Sequence, residues 1–202
     1  DNNGCLRGVI WAERLTEDQI ATGWCVDTLV IRVDRGGRFV MPTLEHIQGD
    51  LRIYGDGARQ IRLPAVKRVE GDVLIESESR DPNYPDIANI LDLTGLRIVD
   101  KGIFLTGGKV TSMNLQNLED VGTDIVIDGV RGLDSVRFPS LLYVGAELQL
   151  TDTTLTSVAA PSLQSISQIV STDNPLLDEC DLHTIADSAM SEVNGTIDQS
   201  CL

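Results

Sequence analysis

The feature that most constrains this chain is that it repeats itself. The segments 41–53 (MPTLEHIQGDLRI), 63–75 (LPAVKRVEGDVLI) and 138–150 (FPSLLYVGAELQL) share one pattern: an apolar residue, Pro, x, Leu or Val, two variable residues, Ile or Val, a glycine region, then two apolar residues one apart. A further copy starts at Ala160-Pro161, and a weaker one runs from Asn114 to Ile127 with Gln116 in place of the proline. The leucine-type position recurs at Leu44, Val66, Leu96, Leu118, Leu141 and Leu163, in steps of 22, 30, 22, 23 and 22. Seven residues later a short apolar alternation begins, at Leu51, Val73, Ile103, Ile125, Leu148 and Val170, with a partial earlier copy at Leu29. Alternation over three to five residues followed by turn chemistry (Thr106-Gly-Gly108, Asp128-Gly129, Asp173-Asn-Pro175) reads as strands, because such units are too short for helices. No single strand of this kind can bury its apolar face, but stacked turns bury Leu on Leu and Ile on Ile in continuous ladders. The fold expected is mainly β, a right-handed parallel β-helix-like solenoid of six to seven 22–23-residue turns with short helical caps.

The organisation expected is an N-terminal cap over 1–28, repeats over 29–177 and a C-terminal cap over 178–202. The 30-residue step marks an insertion of about eight residues within 76–91, and insertions in solenoids become loops on one face. In the N-terminal cap, Leu15 to Ala21 reads as a short helix with Thr16 as N-cap and Gly23 as its stop, flanked by Trp11 and Trp24, which are expected to cover the open end of the coil. Leu182 to Met190 reads as a second helix. Of the four cysteines, Cys5 and Cys25 lie near one end and Cys180 and Cys201 near the other. Three pairings are possible; Cys5–Cys25 with Cys180–Cys201 is chosen because the others require the two ends to meet. Disulfides place the chain in an oxidising compartment, secreted or at a cell surface.

The repeat, its 22–23-residue length and the terminal cysteines resemble the receptor L domain, the leucine-rich β-helix of insulin and epidermal growth factor receptors, and related repeats of microbial surface proteins. The resemblance covers roughly 25–180. It implies an extracellular binding module whose ligand differs from member to member.

Alternation along each strand assigns three outward rows. The first (Thr28, Asp50, Asp72, Gly102, Asp124, Glu147, Ile169) is acidic and reads as a solvated face, or else as a place for cations or a basic partner. The second (Val30, Arg52, Leu74, Phe104, Val126, Gln149, Ser171) is apolar at four positions although it faces away from the core, which suggests either contact with a ligand or cover by the insertion through Tyr84, Pro85, Ile87 and Ile90. The third (Arg32, Tyr54, Glu76, Thr106, Asp128, Thr151, Asp173) is polar. The ligand-binding candidates are Arg52, Tyr54, Leu74, Phe104 and Val126. The formal net charge of −15 disfavours nucleic acid and anionic membrane, and no apolar run approaches the roughly 18–20 residues of a membrane helix. The chain starts at Asp1, so any targeting segment or anchor is expected to lie outside it. No nucleophile–base set or phosphate loop is present, and His46 and His183 read as surface and cap residues, so catalysis, cofactor and metal are not expected. The expected role is extracellular recognition or adhesion toward a protein, a glycan or a second copy; the alternatives are a structural spacer and, as a minority reading, a polysaccharide-active β-helix enzyme.

Overall fold

The computed structural model, which describes residues 5–22, 24–34, 36–55, 57–77, 86–189 and 192–195, is a parallel β-solenoid of about seven turns. Each turn has three walls. The front wall stacks Leu6–Trp11, Cys25–Val33, Leu51–Gly55, Val73–Ser77, Ile103–Thr106, Ile125–Asp128, Glu147–Thr151, Gln168–Thr172 and Glu192–Gly195, all parallel and in chain order. The side wall consists of two-residue strands, from His46–Ile47 to Tyr143–Val144. Both walls belong to one 14-stranded sheet, because Cys25–Val33 is long enough to pair with His46–Ile47 at one end and Leu51–Gly55 at the other. The back wall is a four-stranded sheet of Arg38–Val40, Ala58–Arg62, Asp86–Asp92 and Lys109–Asn114, followed by a separate pair, Ser135–Arg137 with Ser157–Ala159.

The repeat pattern explains this shape residue by residue. Leu29, Leu51, Val73, Ile103, Ile125, Leu148 and Ile169 form one buried ladder, and Leu44, Val66, Leu96, Leu118, Leu141 and Leu163 another. β-Branched and leucine side chains suit this half-buried pleated surface, and each full burial is worth about 1.5–3 kcal/mol. The prolines sit second in tight turns: Val66 N–H donates to Leu63 O (3.3 Å), and Leu141 to Phe138 O (3.3 Å), positions where a missing proline N–H costs nothing. The opposite corner is so tight that a β-carbon added at Gly145 would overlap the carbonyl oxygen of Gly122 and stand 2.6 Å from its carbonyl carbon.

The caps follow the sequence in part. A helix, Glu17–Thr22, is opened by a capping box: Gln19 N–H donates to Thr16 Oγ1 (3.2 Å) and Thr16 N–H to Gln19 Oε1 (3.0 Å). Gly23, its expected stop, lies outside the described residues. The C-terminal helix, Glu179–Ala189, starts three residues earlier than expected because the Asp178 carboxylate accepts the Cys180 N–H (2.9 Å). Cys5 and Cys25 form a disulfide with Cα atoms 4.5 Å apart, stapling the first front strand to the second. Cys180 is also disulfide-bonded; Cys201, its expected partner, lies outside the described residues.

Four expectations are corrected. The N-terminal cap over 1–28 already contains solenoid, since Leu6–Trp11 pairs in parallel with Cys25–Val33. Trp24 does not seal the open end; it is 45% exposed, and the half-buried residues against that end of the core are Leu6, Ile10, Leu15 and Ile20. The insertion is narrower than 76–91, because Val73–Ser77 and Asp86–Asp92 are regular strands of the front and back walls. Ile87 is core and Ile90 faces solvent, so neither covers the front wall, while Tyr84 and Pro85 lie outside the described residues. Last, the front strand Gln168–Thr172 is shifted by one residue: Leu148 pairs with Ile169, not Val170. The corner there holds Ser167 and Gln168, one residue fewer than Gly145-Ala146-Glu147, and a one-residue slip exchanges the faces of every side chain after it.

Candidate functional site

The front wall brings four of the five candidate ligand residues into one row. Arg52, Leu74, Phe104 and Val126 are directly opposite one another on successive strands, and Tyr54 stands in the next row opposite Glu76. With the corrected register the apolar row is Trp11, Val30, Arg52, Leu74, Phe104, Val126, Gln149, Val170. Ser171 leaves it, because Ser171 pairs with the inward-facing Leu150, and in the third row Thr172 replaces Asp173. Val30, between Trp11 and Arg52, is 4% exposed, whereas Leu74, Phe104 and Val126 are half-buried.

Phe104 owes its shelter to its own turn. A β-carbon at Gly102 would lie 2.6 Å from the Phe104 ring, so the ring rests on the bare backbone of Gly102 and breaks the acidic row at that point. Arg52 is fixed from both sides along its strand. Its guanidinium donates to Asp50 Oδ2 (2.8 Å), and Asp50 together with the Tyr54 hydroxyl holds it charged, while its Nε is buried without a hydrogen-bond partner.

The acidic row is not a ladder of free charges. Asp72 N–H donates to Asp50 Oδ1 (3.1 Å), Gly102 N–H to Asp72 Oδ1 (3.0 Å) and Glu147 N–H to Asp124 Oδ1 (3.1 Å), so each carboxylate ties down the amide of the following turn. Gln168, not Ile169, occupies the last place in this row and donates to the Glu147 carboxylate. Burial pushes the Asp50 carboxyl up, but the Arg52 and Asp72 hydrogen bonds and the charges of Arg52 and Lys101 outweigh it and hold the group below its ordinary value. Among the described residues no three His, Cys, Asp or Glu side chains gather closely enough to hold a metal ion.

Between turns, exposed ion pairs such as Lys67–Glu45 (2.7 Å) and Arg68–Asp100 (2.7 Å) run along the side wall. On the back wall the nearly buried Asp92 accepts from Arg62 Nε (2.7 Å) and from Thr94; burial raises its carboxyl, and these bonds more than reverse that. His46 Nε2 pairs with Glu70 (2.9 Å) on the next turn, and His183 Nε2 is buried in the C-terminal helix without a partner. Among the described residues no helix is long and apolar enough to cross a membrane. A hollow lies on the back wall, where the sheet divides, a feature that strand periodicity does not signal. No protein-family model, curated protein or solved structure matches this chain.

Proposed function

We propose that this solenoid is a recognition or adhesion module of a secreted or cell-surface protein, and that it binds an extracellular protein or glycan through the outer face of its front wall. The observation that carries the reading is the row Leu74, Phe104, Val126: three apolar side chains in register, partly open to solvent, on the side of the sheet away from the core. A partner laid along the row would bury the apolar surface that the fold leaves uncovered, with Arg52 and Tyr54 supplying polar contacts at one end. The Cys5–Cys25 disulfide supports an oxidising compartment. The resemblance of the repeat to the receptor L domain supports a binding role, and the net charge of −15 argues against a phosphate-rich partner.

The test is a screen of the purified chain against arrays of glycans and extracellular proteins, with Phe104→Asp and Val126→Asp run alongside and circular dichroism as the check on folding. A hit lost in both folded variants supports the front wall as the site. A hit that both variants keep moves the site elsewhere. Unfolding of both variants would mean that these side chains serve the core, and silence on a broad array favours a structural spacer.

A further inference from the structure

On the wall opposite that row, the solenoid opens. At the proline corner each turn is joined to the next by one backbone hydrogen bond: Met41 N–H to Arg62 O, Leu63 to Asp92, Leu93 to Asn114 and Phe138 to Ala159. The step from Leu115 to Arg137 lacks this bond, and Lys109–Asn114 and Ser135–Arg137 belong to different sheets. The cause is one extra residue. Lys109 pairs with Arg131, but Leu115 follows six residues after Lys109 while Phe138 follows seven after Arg131, so the two strands fall out of register. This is the 23-residue step of the repeat.

The mismatch leaves a cleft of about 460 Å³, within the roughly 300–1,000 Å³ of small-molecule sites. Its lining includes the polar residues Thr111, Ser112, Asn114, Gln116, Asp134 and Arg137, together with the buried Leu115 and Leu133. Asn114 Oδ1 accepts the Gln116 N–H (3.2 Å), which leaves its amide NH₂ to donate. Hydroxyls, amides, one carboxylate and one guanidinium beside apolar side chains are the groups that meet a polyhydroxylated ring, whose hydroxyls both donate and accept and whose C–H faces need an apolar rest. We propose that this cleft is a saccharide-binding site, separate from the front-wall row. Arg137 and Asp134 grip ring hydroxyls, and the Asn114 and Gln116 amides fix the ring's orientation.

The experiment is an amide NMR titration of the whole chain with chitotetraose, cellotetraose, mannotetraose and tetragalacturonate in turn, and with a set of Val/Thr-rich hexapeptides. The expected result is saturable shifts at 111–116 and 133–138 with at least one tetrasaccharide. Arg137→Ala and Gln116→Ala, both exposed changes that leave the fold intact, should weaken binding about tenfold or more, and Phe104→Asp should leave it unchanged. The proposal is overturned if no tetrasaccharide shifts these amides at millimolar concentration, if the shifts fall on the front wall, or if the hexapeptides alone move them, which would make the open strand edges a peptide-addition site.

Discussion

Replacing Gly145 with alanine tests the tightness of the glycine corner with a single methyl group. The added carbon would stand 2.6 Å from the carbonyl carbon of Gly122, against an ordinary carbon–carbon separation of about 3.5–4.0 Å, so the two turns must part by about 1 Å at that corner. The displacement strains the hydrogen bonds from Gly145 N–H to Val121 O (2.9 Å) and from Ala146 N–H to Thr123 O (2.8 Å), each worth about 1 kcal/mol net. Overpacking in a rigid interior costs about 1–3 kcal/mol. Together these give a loss of roughly 2–4 kcal/mol, or a melting temperature lowered by roughly 4–16 °C for a chain of this length. The control is Gly107→Asn. Gly107 has φ +63° and open space around a β-carbon, and asparagine tolerates that conformation, so the change should cost less than about 1 kcal/mol. Urea unfolding followed by far-ultraviolet circular dichroism reads both variants. Fluorescence adds a second probe, since Trp11 and Trp24 both lie in the N-terminal turns and reveal whether that end melts with the rest. If Gly145→Ala proves as mild as Gly107→Asn, the turns are not held at the separation described.

Further outcomes follow from the same geometry. Asp50 and Asp92 ionise at lower pH in the folded chain than in the unfolded one, so their contribution is complete above about pH 5 and is lost as pH falls through their folded values; thermal melts of Asp92→Asn should show a shallower acid decline than the parent. The shifted register makes Ile169→Asp severe, above about 4 kcal/mol, and Val170→Asp mild, below about 1 kcal/mol; denaturation curves with the opposite ranking would restore the unshifted register. Removing the first disulfide with the double change Cys5→Ala and Cys25→Ala should cost about 3 kcal/mol and speed hydrogen exchange in Leu6–Trp11 ahead of the central strands, as exchange mass spectrometry would record.

Much of this architecture was legible because the same physical demand recurs in every turn. Leu44, Val66, Leu96, Leu118, Leu141 and Leu163 each fill the same corner of the core, so their spacing alone reports the stacking. What failed to show was local and concerned single residues. The missing corner residue near Ser167 moved Ile169 inward, and periodicity could not choose between Ile169 and Val170 because both are apolar and β-branched. Asp86–Asp92 looked like insertion because length counting finds extra residues without saying which of them stay in the wall; Ile87, Ala88 and Leu91 could have been recognised by their match to Ala58 and Ile61. At the candidate site, Arg52, Leu74, Phe104 and Val126 were placed correctly by alternation, yet the rest of the Phe104 ring on Gly102 depends on a rotamer that no pattern encodes. The acidic row read as a solvated face or a cation site in sequence because its partners are backbone amides, which every sequence possesses and none displays.

The stacking has a mechanical consequence. Tension applied between the two ends of a solenoid loads the bonds between neighbouring turns one interface at a time, like a zip, whereas tension across the strands loads a whole wall together. A single molecule pulled along its axis should therefore lengthen in discrete steps of about one repeat, roughly 70–80 Å for 22 residues of freed chain, at modest force. The 19 residues between Cys5 and Cys25 would never join that extension, because the disulfide carries the load past them and keeps the first turn as a fixed handle.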